Sequence, residues 1–322
     1  MSNVPETLRV RIAKKTLEAT DVCSFELLHT GAQALPAFSA GSHIDVHLGG
    51  GLIRQYSLCN DPAENHRYLI AVLQDANTRG GSKAMHALQV GDTLTISKPK
   101  NHFPLAPQAK RSLLLAGGIG VTPILSMAER LASELADFEM HYCTRSKART
   151  AFINRIEQGW FASKVHFHFD DGDATQKLNI GELLGTPPPE THLYVCGPKG
   201  FMDAVLSTAR AAGWPEEQLH YEFFSAEVVK SDSDGSFEVK LASSGQVIVV
   251  PKNKTVVEAL ADAGIEVSTS CEQGVCGTCL TKVLAGEPEH RDMFLTPTEQ
   301  KANDQFTPCC SRAKTPMLVL DL

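Results

Sequence analysis

The run CEQGVCGTC at residues 271–279 carries Cys271, Cys276 and Cys279, and Cys309 follows after residues 280–308. The spacing is C-x4-C-x2-C…C, which suits four thiolates converging on the two irons of a [2Fe-2S] cluster. One tight loop supplies three of these predicted ligands without long-range folding. The small residues Gly274, Gly277 and Thr278 let the backbone come close, so that main-chain N–H groups reach the cluster sulfurs. Cys310 reads as a spare, because adjacent cysteines in extended chain point to opposite sides. A structural zinc site is the competing reading of four cysteines. Such sites more often use paired C-x2-C knuckles, and here the second pair is missing.

Working outward, the chain has 322 residues, enough for two or three domains with separate cores. A hydrophobic fraction of 43% and a charged fraction of 21% are those of a soluble globular protein. The net charge of −7, without a block of like charges, argues against a nucleic-acid partner. No run of eighteen apolar residues occurs, and the start MSNVPETLRV lacks an apolar signal core. The expectation is a cytoplasmic protein with no membrane partner. In a reducing compartment the nine cysteines read as metal ligands or buried thiols rather than disulfides.

Residues 1–105 read as β-rich. LRVRIAKKTLEA, VCSFELL, HIDVHL, RQYSL, RYLIAVLQDA and DTLTISKP are short β-type runs separated by turn residues. Six runs at this spacing predict a small antiparallel barrel. In Arg54-Gln55-Tyr56-Ser57 the alternation of a strand puts Arg54 and Tyr56 on one face and Ser57 on the other. Gly80-Gly81-Ser82 then opens a short helix, with Ser82 as the expected N-cap and free N–H groups beside it.

From 106 to 226 the pattern changes to β runs alternating with helical ones. The apolar run RSLLLA leads into Gly117-Gly118-Ile119-Gly120, and Thr122 as N-cap with Pro123 at the first helical position is expected to start a helix. Ile124, Met127, Ala128, Leu131 and Leu135 form its apolar stripe. EMHYCT, KVHFHF, THLYVC and LHYEF complete a doubly wound parallel sheet, which binds nucleotides beyond the carboxyl ends of its strands. GGIG lacks the full dinucleotide spacing and draws its weight from position, after a strand and before a helix. Cys196-Gly197-Pro198 marks a second such strand end.

A polar linker, 227–235, precedes 236–322. There FEVKLA and QVIVV read as a hairpin around Ser243-Ser244-Gly245, and Thr255 with Glu258 as a capping box. Cys23, Cys59 and Cys143 read as buried small hydrophobes. His141, His166 and His168 read as strand residues without ligand partners nearby in sequence. Trp160 and Trp214 read as core residues.

The order RxYS, GGS, GGIGVTP, CGP and HYEFF resembles the ferredoxin–NADP reductase superfamily. With a plant-type ferredoxin segment at its C-terminus, the whole chain resembles the phthalate dioxygenase reductase family. Within that family it is most similar to the reductase subunits of aromatic O-demethylases. The resemblance implies three parts: an antiparallel β-barrel flavin domain, an α/β doubly wound nucleotide domain and a β-grasp [2Fe-2S] ferredoxin domain. It implies FMN rather than FAD, with the phosphate at Arg54, Gly81 and Ser82, the ring against Tyr56, Ser57 near N5, and the Ala71-Val72 backbone at the ring edge. It further implies nicotinamide between Gly118, Gly120, Thr122 and Pro123 on one side and Cys196, Gly197 and Pro198 on the other. Phe224 is the implied aromatic cover, and Thr144-Arg145 the implied contact with the dinucleotide. NADH is the implied donor, although Arg145, Lys147 and Arg149 are compatible with a 2′-phosphate.

A nicotinamide gives up two electrons together and an iron–sulfur cluster takes one at a time, so a flavin between them splits the pair. Ser57, Thr122 and Cys196 are the residues expected beside the hydride path, and no general acid is expected. The leading reading is therefore a reductase that serves a separate terminal Rieske-type oxygenase and is a monomer on its own. Its alternatives are a stand-alone flavin or quinone reductase and, last, a redox sensor.

Overall fold

The computed structural model describes residues 7–31, 33–76, 80–224 and 234–322. Of the linker expected at 227–235, all but Asp234 and Gly235 lies outside the described residues. The chain divides into two compact units, Met1–Glu222 and Phe223–Leu322.

The first unit holds two sheets. Strands β1 (Thr7–Ala19), β2 (Val22–His29), β3 (Ser42–His47), β4 (Ile53–Ser57), β5 (Tyr68–Leu73), β6 (Thr93–Ser97) and β7 (Lys100–Asn101) form an antiparallel sheet. Its order is β4-β3-β6-β1-β2-β5, with β7 on β3, and a bridge between Leu58 and Ile70 joins its two ends into a barrel. Val10, Ile12, Phe25, Leu27, Ile44, Val46, Ile70 and Ile96 fill the interior, as strand alternation requires. Helix α1 (Gly81–Ala87) packs its buried Met85 into this core.

Strands β8 (Arg111–Gly117), β9 (Asp137–Thr144), β10 (Val165–Phe169), β11 (Thr191–Cys196) and β12 (Leu219–Glu222) form the second sheet, all parallel, in the order β10-β9-β8-β11-β12. The chain returns through α2 (Val121–Ser133), α3 (Ile153–Glu157), α4 (Ile180–Leu183) and α5 (Lys199–Ala211). Strand order reverses between β8 and β11, and in such sheets the crevice outside that point is where ligands lie.

In α2, Ile124, Met127, Ala128 and Leu131 are buried as the stripe predicts, but Leu135 is 87% exposed. The helix ends at Ser133. Leu135 N–H bonds the Ala132 carbonyl and Ala136 N–H that of Leu131, with Leu135 at φ +57°. This is a Schellman stop, and it turns Leu135 away from the core. Trp214 is buried and its indole N–H is shared by the Leu184 and Gly185 carbonyls, whereas Trp160 is 64% exposed, against expectation.

The second unit has the mixed sheet of a β-grasp. Its strands are β13 (Phe237–Leu241), β14 (Val247–Val250), β15 (Thr281–Ala285), β16 (Pro288–Glu289), β17 (Gln305–Phe306), β18 (Arg312–Ala313) and β19 (Met317–Leu320). The main sheet runs β14-β13-β19-β15-β17, and β13 pairs with β14 as the expected hairpin and with β19 in parallel. Helix α6 (Val256–Asp262) buries Val256, Ala259 and Leu260 against it. The Thr255–Glu258 capping box is present, and Thr296 with Glu299 makes a second at α7 (Pro297–Ala302). Asp234 is buried at the entry to this unit, bonded by the Arg291 guanidinium (Nη1 to Oδ2, 3.0 Å) and approached by Arg312 Nε at 3.8 Å.

Candidate functional site

On β4, Arg54, Tyr56 and Ser57 lie opposite Val46, Ile44 and His43 of β3. A Cβ on Gly81 would stand 2.5 Å from Arg54 Cγ, so the missing side chain is what lets Arg54 lie across the start of α1. Ser82 is not the N-cap of α1. Gly80, in the left-handed region at φ +93°, takes that position, and Ser82 Oγ accepts from the Asp75 N–H at 3.2 Å. Ala71 and Val72 are buried on β5, and the Val72 carbonyl is 2.8 Å from His86 Nε2.

At the strand-order reversal two glycine-rich ends meet. A Cβ on Gly120 would be 2.2 Å from the Cys196 carbonyl oxygen, and one on Gly197 would be 2.9 Å from Gly117 Cα. Only bare backbone fits there. A Cβ on Gly118 (φ +52°), in contrast, would meet nothing within 4 Å, so this residue borders open space. After a 3-10 turn at Gly118–Gly120, helix α2 starts at Val121 with Gly120 as its N-cap, so Thr122 and Pro123 sit inside the first turn. The Thr122 hydroxyl donates to the Ile119 carbonyl at 3.1 Å and tightens that turn. Pro198 is the N-cap of α5.

The structure adds a residue that the motif reading passed over. Glu222 ends β12 opposite Cys196 on β11, and Ser57 Oγ lies 3.4 Å from its Oε2. Burial pushes the Glu222 carboxyl up to about 8, with the Ser57 hydrogen bond acting the other way. At pH 7 it is therefore mostly protonated, an acid at the place where none was expected. The signal was present in HYEFF, whose glutamate closes an apolar strand at the crevice end. Cys196 is fully buried, and burial with the nearby Glu222 pushes its thiol well up, so it stays a neutral thiol rather than a thiolate.

Other expected residues are placed as follows. Thr144 is buried at the end of β9 and its hydroxyl is 2.7 Å from that of Thr150, so it shapes the turn that exposes Arg145. Arg149 pairs with Asp21 at 3.4 Å. Phe223 is buried, and Phe224, in the second unit, is 38% exposed. Cys23 and Cys59 are buried, with the Cys59 thiol donating to the Leu69 carbonyl at 3.2 Å, while Cys143 is half-buried. The histidines do have close neighbours: His141 Nδ1 is 2.9 Å from His168 Nε2, and Glu139 Oε1 is 3.1 Å from His141 Nε2 and 3.3 Å from His166 Nε2.

In the second unit Cys271, Cys276, Cys279 and Cys309 are all buried. The Cys271 thiol is within hydrogen-bonding reach of those of Cys276 and Cys309, and Cys309 of that of Cys279, so the four sulfurs converge. The Gln273 N–H donates to Cys271 Sγ at 3.4 Å, and Gly274 and Gly277 turn the loop at φ +72° and +68°. A buried, all-sulfur, N–H-lined nest of this kind fits a [2Fe-2S] cluster. Cys310 does not point away. It is buried beside Cys309 because residues 308–310 form a turn and not extended chain.

A family model described as a 2Fe-2S iron-sulfur cluster binding domain matches residues 239–314. A second, described as the N-terminal domain of a dimethylamine monooxygenase subunit DmmA-like, matches residues 95–219. The chain is 56% identical to vanillate O-demethylase oxidoreductase of Pseudomonas putida, over 97% of this chain and 98% of that one. It is 39% identical to tetrachlorobenzoquinone reductase of Sphingobium chlorophenolicum, over all of both. Among solved structures it is similar to phthalate dioxygenase reductase, described as a modular structure for electron transfer from pyridine nucleotides to [2Fe-2S], with a TM-score of 0.75, 40% identity and 98% of each chain covered. A flavin barrel, a nucleotide sheet and a cluster nest in one chain, matched end to end, place this oxidoreductase in the phthalate dioxygenase reductase family, whose members carry electrons from NADH through FMN and a [2Fe-2S] cluster to an oxygenase.

Proposed function

We propose that this chain is the reductase of a Rieske-type oxygenase that O-demethylates an aromatic acid of the vanillate type. The observation that carries this reading is the convergence of four buried cysteines in a chain whose other unit contains both the barrel and the nucleotide crevice. FMN, when bound, accepts the electron pair of NADH as hydride and returns electrons one at a time. Arg54 supplies the positive charge for its phosphate, with Gly81 and Ser82 beside it, and Tyr56 offers a flat face. Ser57 donates to Glu222 Oε2 at a half-buried point, where the Glu222 carboxyl releases and takes back the proton that accompanies the electrons. Gly118, Gly120, Thr122 and Pro123 face Cys196, Gly197 and Pro198 to keep one nicotinamide face against backbone and exclude water. Thr144 positions Arg145 toward the dinucleotide. In this reading the working parts are 1–105, 106–226 and 236–322, joined by 227–235, in a cytoplasmic monomer.

Anaerobic NADH should bleach both flavin and cluster absorbance. Cys279→Ser should keep NADH-driven bleaching of the flavin and lose electron delivery to a one-electron protein acceptor. Full delivery by that variant would sink the proposal. Similarity to a quinone reductase over the full length favours a second reading, two-electron reduction of a quinone at the flavin. That reading expects Cys279→Ser to retain quinone turnover.

A further inference from the structure

Cys310 follows a predicted cluster ligand and is 4% exposed. Its side chain packs beside that of Cys309, and its Sγ is 3.3 Å from Thr307 Oγ1 and 3.8 Å from both the Thr307 carbonyl oxygen and Ser311 Oγ. Thr307 Oγ1 is 3.1 Å from Ser311 Oγ, which lies 3.2 Å from the backbone nitrogen of Arg291. On the other side, a Cβ on Gly274, midway between Cys271 and Cys276, would be 2.3 Å from Cys310 Sγ. The sulfur of Cys310 therefore rests against the ligand loop and beside the fourth ligand at once.

The two ends of this chain fix its direction. The Arg291 N–H can only donate, and a metal-bound cysteine sulfur, having no proton, can only accept. Between them Ser311, Thr307 and Cys310 carry one proton each; the Thr307 carbonyl, 3.8 Å from Cys310 Sγ, competes for the thiol proton but already accepts the backbone N–H groups of Cys310 and Ser311. Arg291 N–H donates to Ser311, Ser311 to Thr307, Thr307 to Cys310, and Cys310 S–H to Cys309. Bonds aligned head to tail polarise one another, which strengthens the last donor in a buried setting.

We propose that Cys310 is a positioning residue for electron transfer, a buried thiol donor at the end of a directed hydrogen-bond chain that holds the Cys309 ligand sulfur and raises the reduction potential of the cluster. The reduced cluster carries one more negative charge than the oxidised one, so a donor on a ligand sulfur favours the reduced form. The inference rests on the reading of Cys309 as a cluster ligand, and iron and acid-labile sulfide analysis of the purified full-length protein checks that reading first.

The test is a spectroelectrochemical titration of the holoprotein, with the electron paramagnetic resonance spectrum of the reduced cluster recorded alongside. Cys310→Ala should lower the ratio of reduced to oxidised cluster at a fixed potential by up to about tenfold, which is about 59 mV for a one-electron couple. Cys310→Ser, which keeps a donor, should recover most of that shift, and the flavin potential should not move. Thr307→Val and Ser311→Ala break the chain without removing a sulfur and should move the potential in the same direction by less. An unchanged potential in Cys310→Ala at full iron content overturns the proposal. Should Cys310→Ala fail to hold a cluster, unchanged potentials in both Thr307→Val and Ser311→Ala overturn it instead.

Discussion

A carboxyl that loses water on folding keeps its proton until the pH passes its raised pKa, and for Glu222 that value is about 8. An unfolded glutamate ionises near its ordinary value of 4.5, so between pH 4.5 and 8 the unfolded chain releases a proton that the folded chain retains. Stability from this residue is complete below that window and falls as pH rises through it, by about 1.4 kcal/mol per unit before solvent relief. Unfolding midpoints from pH 5 to 8.5 should therefore fall more steeply for the parent than for Glu222→Gln. The same variant should slow flavin reduction by NADH on the order of 10²-fold in stopped flow, as loss of a positioned acid does. Leu135 makes a separate residue-scale case. It holds the left-handed stop of α2 where α5 and α6 use Gly213 and Gly264, at φ +88° and +78°. Leu135→Gly should raise the midpoint in urea, by about 1 kcal/mol in stability. Helical periodicity includes Leu135 in the apolar stripe because it counts spacing and does not see where the hydrogen bonds stop. Glu222 is hidden from spacing for a related reason: its raised pKa comes from burial by residues distant in sequence, and its hydrogen-bond partner Ser57 is 165 positions away.

At the scale of elements, the local rules carried far where the residues act on their neighbours. The α6 capping box, the hairpin at Ser243-Ser244-Gly245 and the glycine-rich ends of β8 and β11 depend on a few adjacent positions, and all are present. Helices α1 and α2 are capped two residues before Ser82 and Thr122, because in both cases a glycine backbone and not a hydroxyl side chain opens the turn. The approach of Gly120 to the Cys196 carbonyl belongs to this scale, since it ties the start of α2 to the end of β11. Gly120→Ala must push those elements apart. It should raise the KM for NADH about tenfold or more, with the cluster and flavin spectra of the purified protein unchanged.

Over the whole molecule, each of the two units has a core of its own, whereas the change of pattern along the chain divides it into three parts. What spacing cannot reveal is how the second unit is fastened at its entry. Asp234 is 6% exposed in its side chain and faces Arg291 and Arg312, at 10% and 8%. Asp234→Ala removes a carboxylate shared by two guanidinium groups, leaving Arg291 with Glu289 and Arg312 with backbone carbonyls, and should cost about 2 kcal/mol. Urea unfolding followed by cluster absorbance should show that loss while flavin fluorescence unfolds at the parent concentration. The clustering of sulfur in the same unit has a practical side. Thiols that stand within reach of one another can be cross-linked by air as readily as they can be metallated, so freshly made chains face a race between iron delivery and oxygen. Yield of coloured protein should then track how reducing the expression host is, and material lost to oxidation should be recovered by a thiol reductant before iron and sulfide are supplied.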